Sequence, residues 1–539
     1  MHCSSYSNRG VIRFAFLVSA LTALFLVGCA EGGTSPAAGG SGGAGGTGGT
    51  GRFAPIRVAT PMPRQTPEEL GIEPFIGEAV VPNLAAPKDI PPHPTLNNEG
   101  DSRIHNDHYN SAVYDRSGPT GPAIDVTTNH LSSLAGICAM MAMLQNGYVL
   151  ASCFIGEAQT GIDVTLVMFD NENLDIVAER KIGPRPFVQN SSGGAYFSMD
   201  ADENIIIGPP NRLEQYHIEV NDGAPEFVLD KSIDMSPYIR ENALLQDSVI
   251  DYDGRLWFMA TTGEVGYVDL ETEAVKTVDL VDDLADCNMA ESNEVLQNSI
   301  AVDEDAIYMV TCAALYRLSV DADGEVDVDW RADYDTGTSG GLLLPGSGTS
   351  PTLFGTEDDL ITICDNADSQ INLLVIDRAS GMEVCKTPLF RPGESATENS
   401  SIGHGDDVVI ANNAGFEGPF LPARTMFPGL ERYTVERDDQ GNPTGCTQVW
   451  KNDDAIINSN QLATESGVIW GYGADPDVED TDIFYLGAYE WDTGDEIFRA
   501  YVGDGLPFDP LTGQVHMHPD GSLFLGAVQG AILMRDASQ

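Results

Sequence analysis

Short polar residues recur along this 539-residue chain in a pattern that could hold a ligand. One set reads Asn190-Ser191-Ser192, Asp247-Ser248, Asn298-Ser299, Glu398-Asn399-Ser400 and Asn458-Ser459. A second reads Asp365-Asn366-Ala367-Asp368 and Asn412-Asn413. Amide, hydroxyl and carboxylate oxygens are hard donors, and gathered together they suit calcium or a hydroxylated ligand. Glu398, Asp365 and Asp368 would supply the charge for calcium. Asn298, Asn366, Asn399, Asn412 and Asn458 would add neutral donors and acceptors. The same short side chains also tie strand ends to loops through local backbone bonds, which is a purely structural use of them.

Other chemistry has thinner support. His105-Asn106-Asp107-His108 lacks the fuller ligand set of a zinc motif, so surface or packing roles are expected. Asp321-Ala322-Asp323-Gly324-Glu325 lacks the distal glutamate of a calcium loop and reads as a hairpin turn. The acidic stretch from Asp475 to Asp482 reads as a solvated loop. His516 and His518 are read on one inner strand, and core packing is expected of them. No Gly-x-Ser-x-Gly elbow and no P-loop is present.

The elements that would position the polar sets are hairpins. Asp247 to Tyr252 and Arg255 to Ala260 flank a tight turn at Asp253-Gly254, and two further alternating runs, Val265 to Asp269 and Ala274 to Asp279, follow. Two successive hairpins of period two predict a four-stranded antiparallel sheet. The inner hairpin recurs at 143–150, 199–207, 250–259, 301–310, 353–363, 402–410, 462–470 and 515–525. Pivots about fifty residues apart are the spacing of propeller blades. The chain is therefore expected to be all-β, an eight-bladed β-propeller spanning 123–539, with seven blades as the alternative count. The last repeat stops after Ala531-Ile532-Leu533-Met534, one strand short, so a strand near Ala123 to Thr128 should close the ring. In such a ring the first strand begins and the second ends at one face, which would bring the polar sets together at the channel mouth.

The outer hairpins, clearest in Asp377-Arg378-Ala379-Ser380-Gly381 and repeated in Trp491-Asp492-Thr493-Gly494, carry an acidic residue and a Ser/Thr-Gly turn. Repeats of this length and turn resemble the quinoprotein-alcohol-dehydrogenase-like propeller superfamily. The runs Gly348 to Leu353, Asp365 to Asp368 and Ser395 to Ser400 resemble uncharacterised bacterial secreted propellers. The first resemblance implies pyrroloquinoline quinone with calcium at the channel mouth. Enzymes of that kind use a vicinal cysteine pair or basic partner and an aromatic floor; this chain has no adjacent cysteines, and Trp330, Trp450 and Trp491 fall on outer hairpins. A calcium-dependent lactonase or esterase using Glu398, Asp365 and Asp368 is a further alternative, against which the count of eight speaks. A ligand-binding or protein-interaction module is the expected function.

Address and composition agree with an exported protein. Arg9 and Arg13 precede an apolar run from Phe14 to Val27, the form of a secretory signal. The run ends in Leu26-Val27-Gly28-Cys29, which resembles the lipobox of bacterial lipoproteins; the resemblance implies cleavage after residue 28 and lipidation of Cys29. Ala30 in place of Asp implies an outer-membrane lipoprotein, facing the periplasm or the cell surface. Residues 29–52 form a Gly-rich tether with a reach on the order of 25 Å. Residues 53–122 are proline-rich and are expected to lie extended over the propeller. With 82 acidic and 27 basic residues the formal charge is −55, which repels nucleic acid and anionic lipid. Export permits disulfides. Strand positions favour Cys138–Cys153, Cys287–Cys312 and Cys385–Cys446, with Cys364 free and buried.

Overall fold

In the computed structural model the described residues are 52–98, 101–157, 161–185, 194, 196–241, 243–280, 296, 298–337, 346–415, 426–455, 459–475, 482–511 and 513–537. Cys29 with its signal and tether, Asn190-Ser191-Ser192, Cys287 and Asn458 lie outside them.

Each repeat forms one antiparallel sheet whose strands follow chain order from the centre outward. Blade 1 is Ala135–Met143, Val149–Glu157, Gly161–Phe169 and Ile176–Arg185. Blade 2 is Phe197–Met199, Ile205–Ile207, Arg212–Asn221 and Ala224–Asp234. Blade 3 is Leu245–Ile250, Arg255–Ala260, Glu264–Asp269 and Val275–Asp279, and blade 4 is Ala301–Val302, Ile307–Val310, Ala314–Val320 and Val326–Asp333. Blade 5 is Thr352–Phe354, Leu360–Cys364, Asn372–Asp377 and Glu383–Pro388, and blade 6 is Ile402–His404, Asp407–Ala411, Leu430–Arg437 and Pro443–Asn452. Blade 7, Ser459–Ala463, Val468–Ala474, Ile483–Glu490 and Glu496–Asp504, gains Phe75–Gly77 on its outer edge and Val113–Tyr114 on its inner one. Blade 8 is His516–Met517, Leu523–Ala527 and Gly530–Asp536, and its outer strand is Ile124–His130 from the other end of the domain. The protein is thus an eight-bladed β-propeller, closed as expected by the N-terminal strand. Among the described residues no helix is long and apolar enough to cross a membrane.

The inner strands read as unbroken apolar runs because each blade is covered on both faces. Period-two alternation then divides one strand between two neighbours. Leu256, Phe258 and Ala260 pack toward blade 2, while Trp257 and Met259 pack toward blade 4. Met140 and Ala142 face blade 2, and Met141 and Met143 face blade 8. The core is accordingly a set of wedges, one at each boundary between blades.

The acidic-x-x-Ser/Thr-Gly turn has a local and a tertiary cause. Asp377 Oδ1 accepts the Ser380 amide at 2.8 Å, and Asp269 Oδ1 accepts the Thr272 amide at 2.8 Å, closing the bend. The turn also carries the next tie: Trp330 of blade 4 donates its indole N–H to the Arg378 carbonyl of blade 5 at 3.0 Å, and Trp450 of blade 6 donates to the Trp491 carbonyl at 2.9 Å. Gly381 and Gly494 lie against those two indoles, with φ of +70° and +75°.

Cys138–Cys153 joins the first two strands of blade 1, and Cys385–Cys446 joins the outer strands of blades 5 and 6. Cys312 is also disulfide-bonded, and Cys364 is free and buried.

Gly494→Ala should lower stability by about 1–3 kcal/mol more than Gly223→Ala in urea unfolding. Both glycines have positive φ and share the backbone strain, but a Cβ at 494 collides with Trp450 while 223 faces open space.

Candidate functional site

The first strand of every blade is an edge strand turned to the axis, so its N–H and C=O groups need partners. Residues 101–116 supply them. Ser102 accepts the Met199 amide at 3.1 Å, His108 that of Val302 at 2.8 Å, Tyr109 that of Leu353 at 2.9 Å and Ser111 that of Gly403 at 3.0 Å. Ala112 accepts Leu462 and Tyr114 accepts Thr464, both at 2.9 Å. Ile104 packs with Met140 and Ala142 of blade 1, Arg103 reaches blade 3, and the Arg116 guanidinium donates to the Met517 carbonyl of blade 8. The segment touches all eight blades. Its bonds fall toward the C-terminal ends of the inner strands, so it plugs the face that carries the short turns.

Residues 52–98 are mostly exposed, with Met62, Val80, His93, Leu96 and Asn97 buried, whereas 101–114 are buried, polar side chains included. His105 and His108 serve in packing, as expected of that pair, although at the centre of the fold.

Arg103 is the hub. Its guanidinium donates to Ser198 Oγ and the Ser248 carbonyl at 2.8 Å, to the Ile300 carbonyl at 2.9 Å, and to Asp247. Asp247 also accepts the Ile300 amide at 2.8 Å. Both partners of this ion pair are at most 1% exposed. His105 Nε2 lies 3.1 Å from Ser350 Oγ and 2.9 Å from Ser400 Oγ, and burial pushes the imidazole down to about 3, so it is neutral. Burial alone would raise the Asp107 carboxyl, but Lys88, His108 and Ser111 outweigh it and hold it below its ordinary value.

Described members of the polar sets sit beside strand starts and second-strand ends, and several of them tie blades together. Ser350 Oγ accepts the Ser299 amide at 3.0 Å, and Ser400 Oγ accepts the Ser350 amide at 3.0 Å, blade to blade. Asn298 donates to the Ser347 carbonyl at 2.9 Å. Asn366 joins blades 5 and 6, donating to the Thr397 carbonyl at 2.8 Å and accepting its amide at 3.0 Å. Asn412 donates to the Glu394 carbonyl at 2.8 Å and accepts the Ala414 amide at 3.0 Å. Asn413 Oδ1 accepts the Glu398 amide at 2.9 Å.

Asp365, fully buried, is engaged by Asn372 at 2.7 Å and Lys386 at 3.2 Å. Asp368 is exposed and Glu398 is 9% exposed. No three His, Cys, Asp or Glu side chains gather to hold a metal among the described residues. The donor set expected for calcium, with or without a quinone, is not assembled from Glu398, Asp365 and Asp368.

Two glutamines escaped the sequence reading. Gln461 of blade 7 donates to Gln514 at 2.6 Å, and Gln514, leading into blade 8, donates to Asn399 Oδ1 at 3.1 Å. Beside them His516 is buried, neutral, with burial pushing it down to about 3, and its Nε2 accepts the Met141 amide at 3.4 Å. The sequence signal is weak: Gln514 precedes the strand His516–Met517, and Gln461 follows two other polar residues in Ser459–Ala463.

The disc has unequal faces. Inner-hairpin turns, such as Ile250 to Arg255 or His404 to Asp407, are short and lie on the plugged face. The connections from Asp279 to Ala301, Asp333 to Thr352, Pro388 to Ile402 and Ala411 to Leu430 are long and all leave from the other face, around the polar rim.

No family model matches the chain. A protein of Archaeoglobus fulgidus described as uncharacterized is 23% identical over 408 residues, covering 70% of this chain and 76% of its own. Among solved structures, quinohemoprotein alcohol dehydrogenase from Comamonas testosteroni aligns with a TM-score of 0.47 at 11% identity, over 82% of this chain and 81% of that one. Quinohemoprotein alcohol dehydrogenase ADHIIG from Pseudomonas putida HK5 aligns at 0.47 and 12%, over 81% and 80%.

Arg103→Ala should cost about 3–5 kcal/mol in equilibrium unfolding, because it leaves Asp247 charged and buried without a counter-ion. A second expectation concerns Asp509, 3% exposed in the connection between blades 7 and 8. Burial, with Asp482 adding, raises its carboxyl to about 7. The folded state then holds a proton that the unfolded chain releases near 4, so stability should fall as pH rises from about 4 through 7. Asp509→Asn should remove that part of the slope in chemical unfolding followed across pH.

Proposed function

We propose that this chain is a tethered, extracytoplasmic binding module that receives a small ligand or a protein partner on its long-loop face. The observation that carries the reading is the inequality of the two faces. One face is sealed through its centre by the chain's own residues 101–116. From the other leave the long connections, at strand ends beside a rim of buried polar groups. Rigid scaffolds commonly place recognition on such loops.

Catalysis has less support. Asp365, one of the carboxylates that a calcium-dependent oxidoreductase or lactonase would need, is engaged by Asn372 and Lys386, and no three His, Cys, Asp or Glu side chains gather to hold a metal among the described residues. The net charge of −55 favours neutral or cationic partners and opposes nucleic acid. The Leu26-Val27-Gly28-Cys29 run supports acylation at Cys29, with lipid chains holding the mature protein at the outer membrane.

Two measurements test this. Cys29→Ser should shift the protein from the membrane to the soluble fraction on cell fractionation; an unchanged distribution defeats the lipid tether. A photo-crosslinking residue at Arg391, on the long-loop face, should give a defined adduct in native membranes, while one at Asp253, on the plugged face, should not. Equal labelling at both positions, or a chelator-sensitive mass excess on the intact chain in native mass spectrometry, would count against the reading.

A further inference from the structure

The N-terminal region comes onto the disc at the plugged face. Arg52 pairs with Asp170 and donates to Asn171 Oδ1 at 3.1 Å, and the Phe53 amide donates to the Tyr148 hydroxyl at 2.6 Å. Tyr148 closes the inner-hairpin turn of blade 1, and Asn171 stands 3.5 Å from His518 in the inner-hairpin turn of blade 8. Both of those turns belong to the plugged face. The chain before residue 52 therefore joins the disc there, near the boundary of blades 8 and 1.

Farther along, the same region crosses the plugged face over blade 7. The Asn83 amide donates to the Ser466 carbonyl at 3.0 Å, the Ala85 amide to the Thr464 carbonyl at 2.9 Å and the Val80 amide to the Thr120 carbonyl at 2.8 Å. A backbone braced at three points turns Val80 inward, 7% exposed, and holds Val81 and Leu84 outward, 82% and 74% exposed. Ile56 and Val58, just past the entry point, are also more than half exposed. Large apolar side chains held outward beside the point of entry mark a surface that is covered in use.

We propose that the plugged face over blades 7, 8 and 1 rests on a zwitterionic lipid surface, with Val81 and Leu84 at the headgroup boundary, so that the long-loop face points away from the membrane. The proposal rests on the reading that acyl chains on Cys29 tether the protein. The reach of residues 29–51, on the order of 25 Å, is comparable to the height of the disc, because a strand as long as Ala135–Met143 spans about 30 Å. To bring the long-loop face to the bilayer, the tether would have to pass the whole height of the rim and lose conformational freedom. The plugged face meets lipid without that loss. Apolar side chains gain by leaving water at the bilayer boundary. Exposed carboxylates on the same face, Asp253 and Glu465 among them, oppose an anionic surface and select a zwitterionic one. A face of short turns gives up no long loop by lying on lipid.

The test places a benzophenone side chain at Leu84 or at Arg391 in the full-length acylated protein, reconstituted in phosphatidylcholine vesicles that carry a trace of alkyne-bearing phosphatidylcholine. The alkyne distinguishes lipid adducts from adducts with a ligand or protein. The expected result is roughly fivefold more lipid labelling from position 84 than from 391, decreasing when phosphatidylglycerol is added. With the probe moved to Ile56, Val81→Asp combined with Leu84→Asp should lower lipid labelling roughly threefold. Both positions are exposed, so the fold is kept, and the acyl chains keep the variant on the vesicles. Equal labelling at 84 and 391, stronger labelling at 391, or undiminished labelling at 56 in the double variant overturns the proposal. Membrane association that depends on Cys29, together with any of those outcomes, sinks this inference alone. Association unchanged in Cys29→Ser sinks the tether reading on which it stands.

Discussion

Eight blades standing round an axis present eight edge strands to its centre, and their backbone groups must be hydrogen-bonded where water is excluded. Most of this structure follows from how that demand is met. A segment of the chain's own N-terminal region runs across the inner edges and offers carbonyls to Met199, Val302, Leu353, Gly403, Leu462 and Thr464 in turn. Such a segment must be irregular, since its partners lie on a circle and not along a line. It must also be polar, because it sits where backbone groups converge. Arg103 completes the arrangement by reaching the Ser248 and Ile300 carbonyls and neutralising Asp247. One side chain thereby fixes the spacing of blades 2, 3 and 4.

The outer part of the disc obeys a different constraint. Wedges of apolar side chains hold each blade to the next, and the ring closes because Ile124–His130 completes a sheet begun at His516. Since every boundary is made the same way, stability is shared around the ring and no blade can be lost without opening two edges. Tryptophan indoles seated on the turn glycines of the following blade carry the same tie to the periphery, and Cys385–Cys446 adds a covalent one between blades 5 and 6.

What the sequence revealed of this arrangement tracks the kind of interaction involved. Side-chain periodicity makes wedges, so the eight inner hairpins, the blade count and the closing strand were legible; so were the Cys138–Cys153 and Cys385–Cys446 pairs, which depend on strand neighbourhood. The plug was not legible. Its contacts are made largely through main-chain carbonyls, which leave no residue pattern, and its Asp-Ser-Arg-Ile-His-Asn-Asp-His run has the composition of a surface loop. The rim lay between these cases. Residue types placed Asn298, Asn366 and Asn412 at strand ends, but types do not reveal partners, and Asp365 is engaged by Lys386 and Asn372 instead of standing open to an ion.

Charge placement joins these observations. Several of the scarce basic residues sit across blade boundaries: Arg378 pairs with Asp303 at 3.2 Å, Arg437 with Asp359 at 2.7 Å, and Lys386 with Asp335 at 2.8 Å. These three pairs join neighbouring blades through charge as well as through packing. The chain as a whole carries a formal charge of −55. Such a charge opposes the approach of anions. Cations meet attraction outside but no open carboxylate cluster among the described residues within.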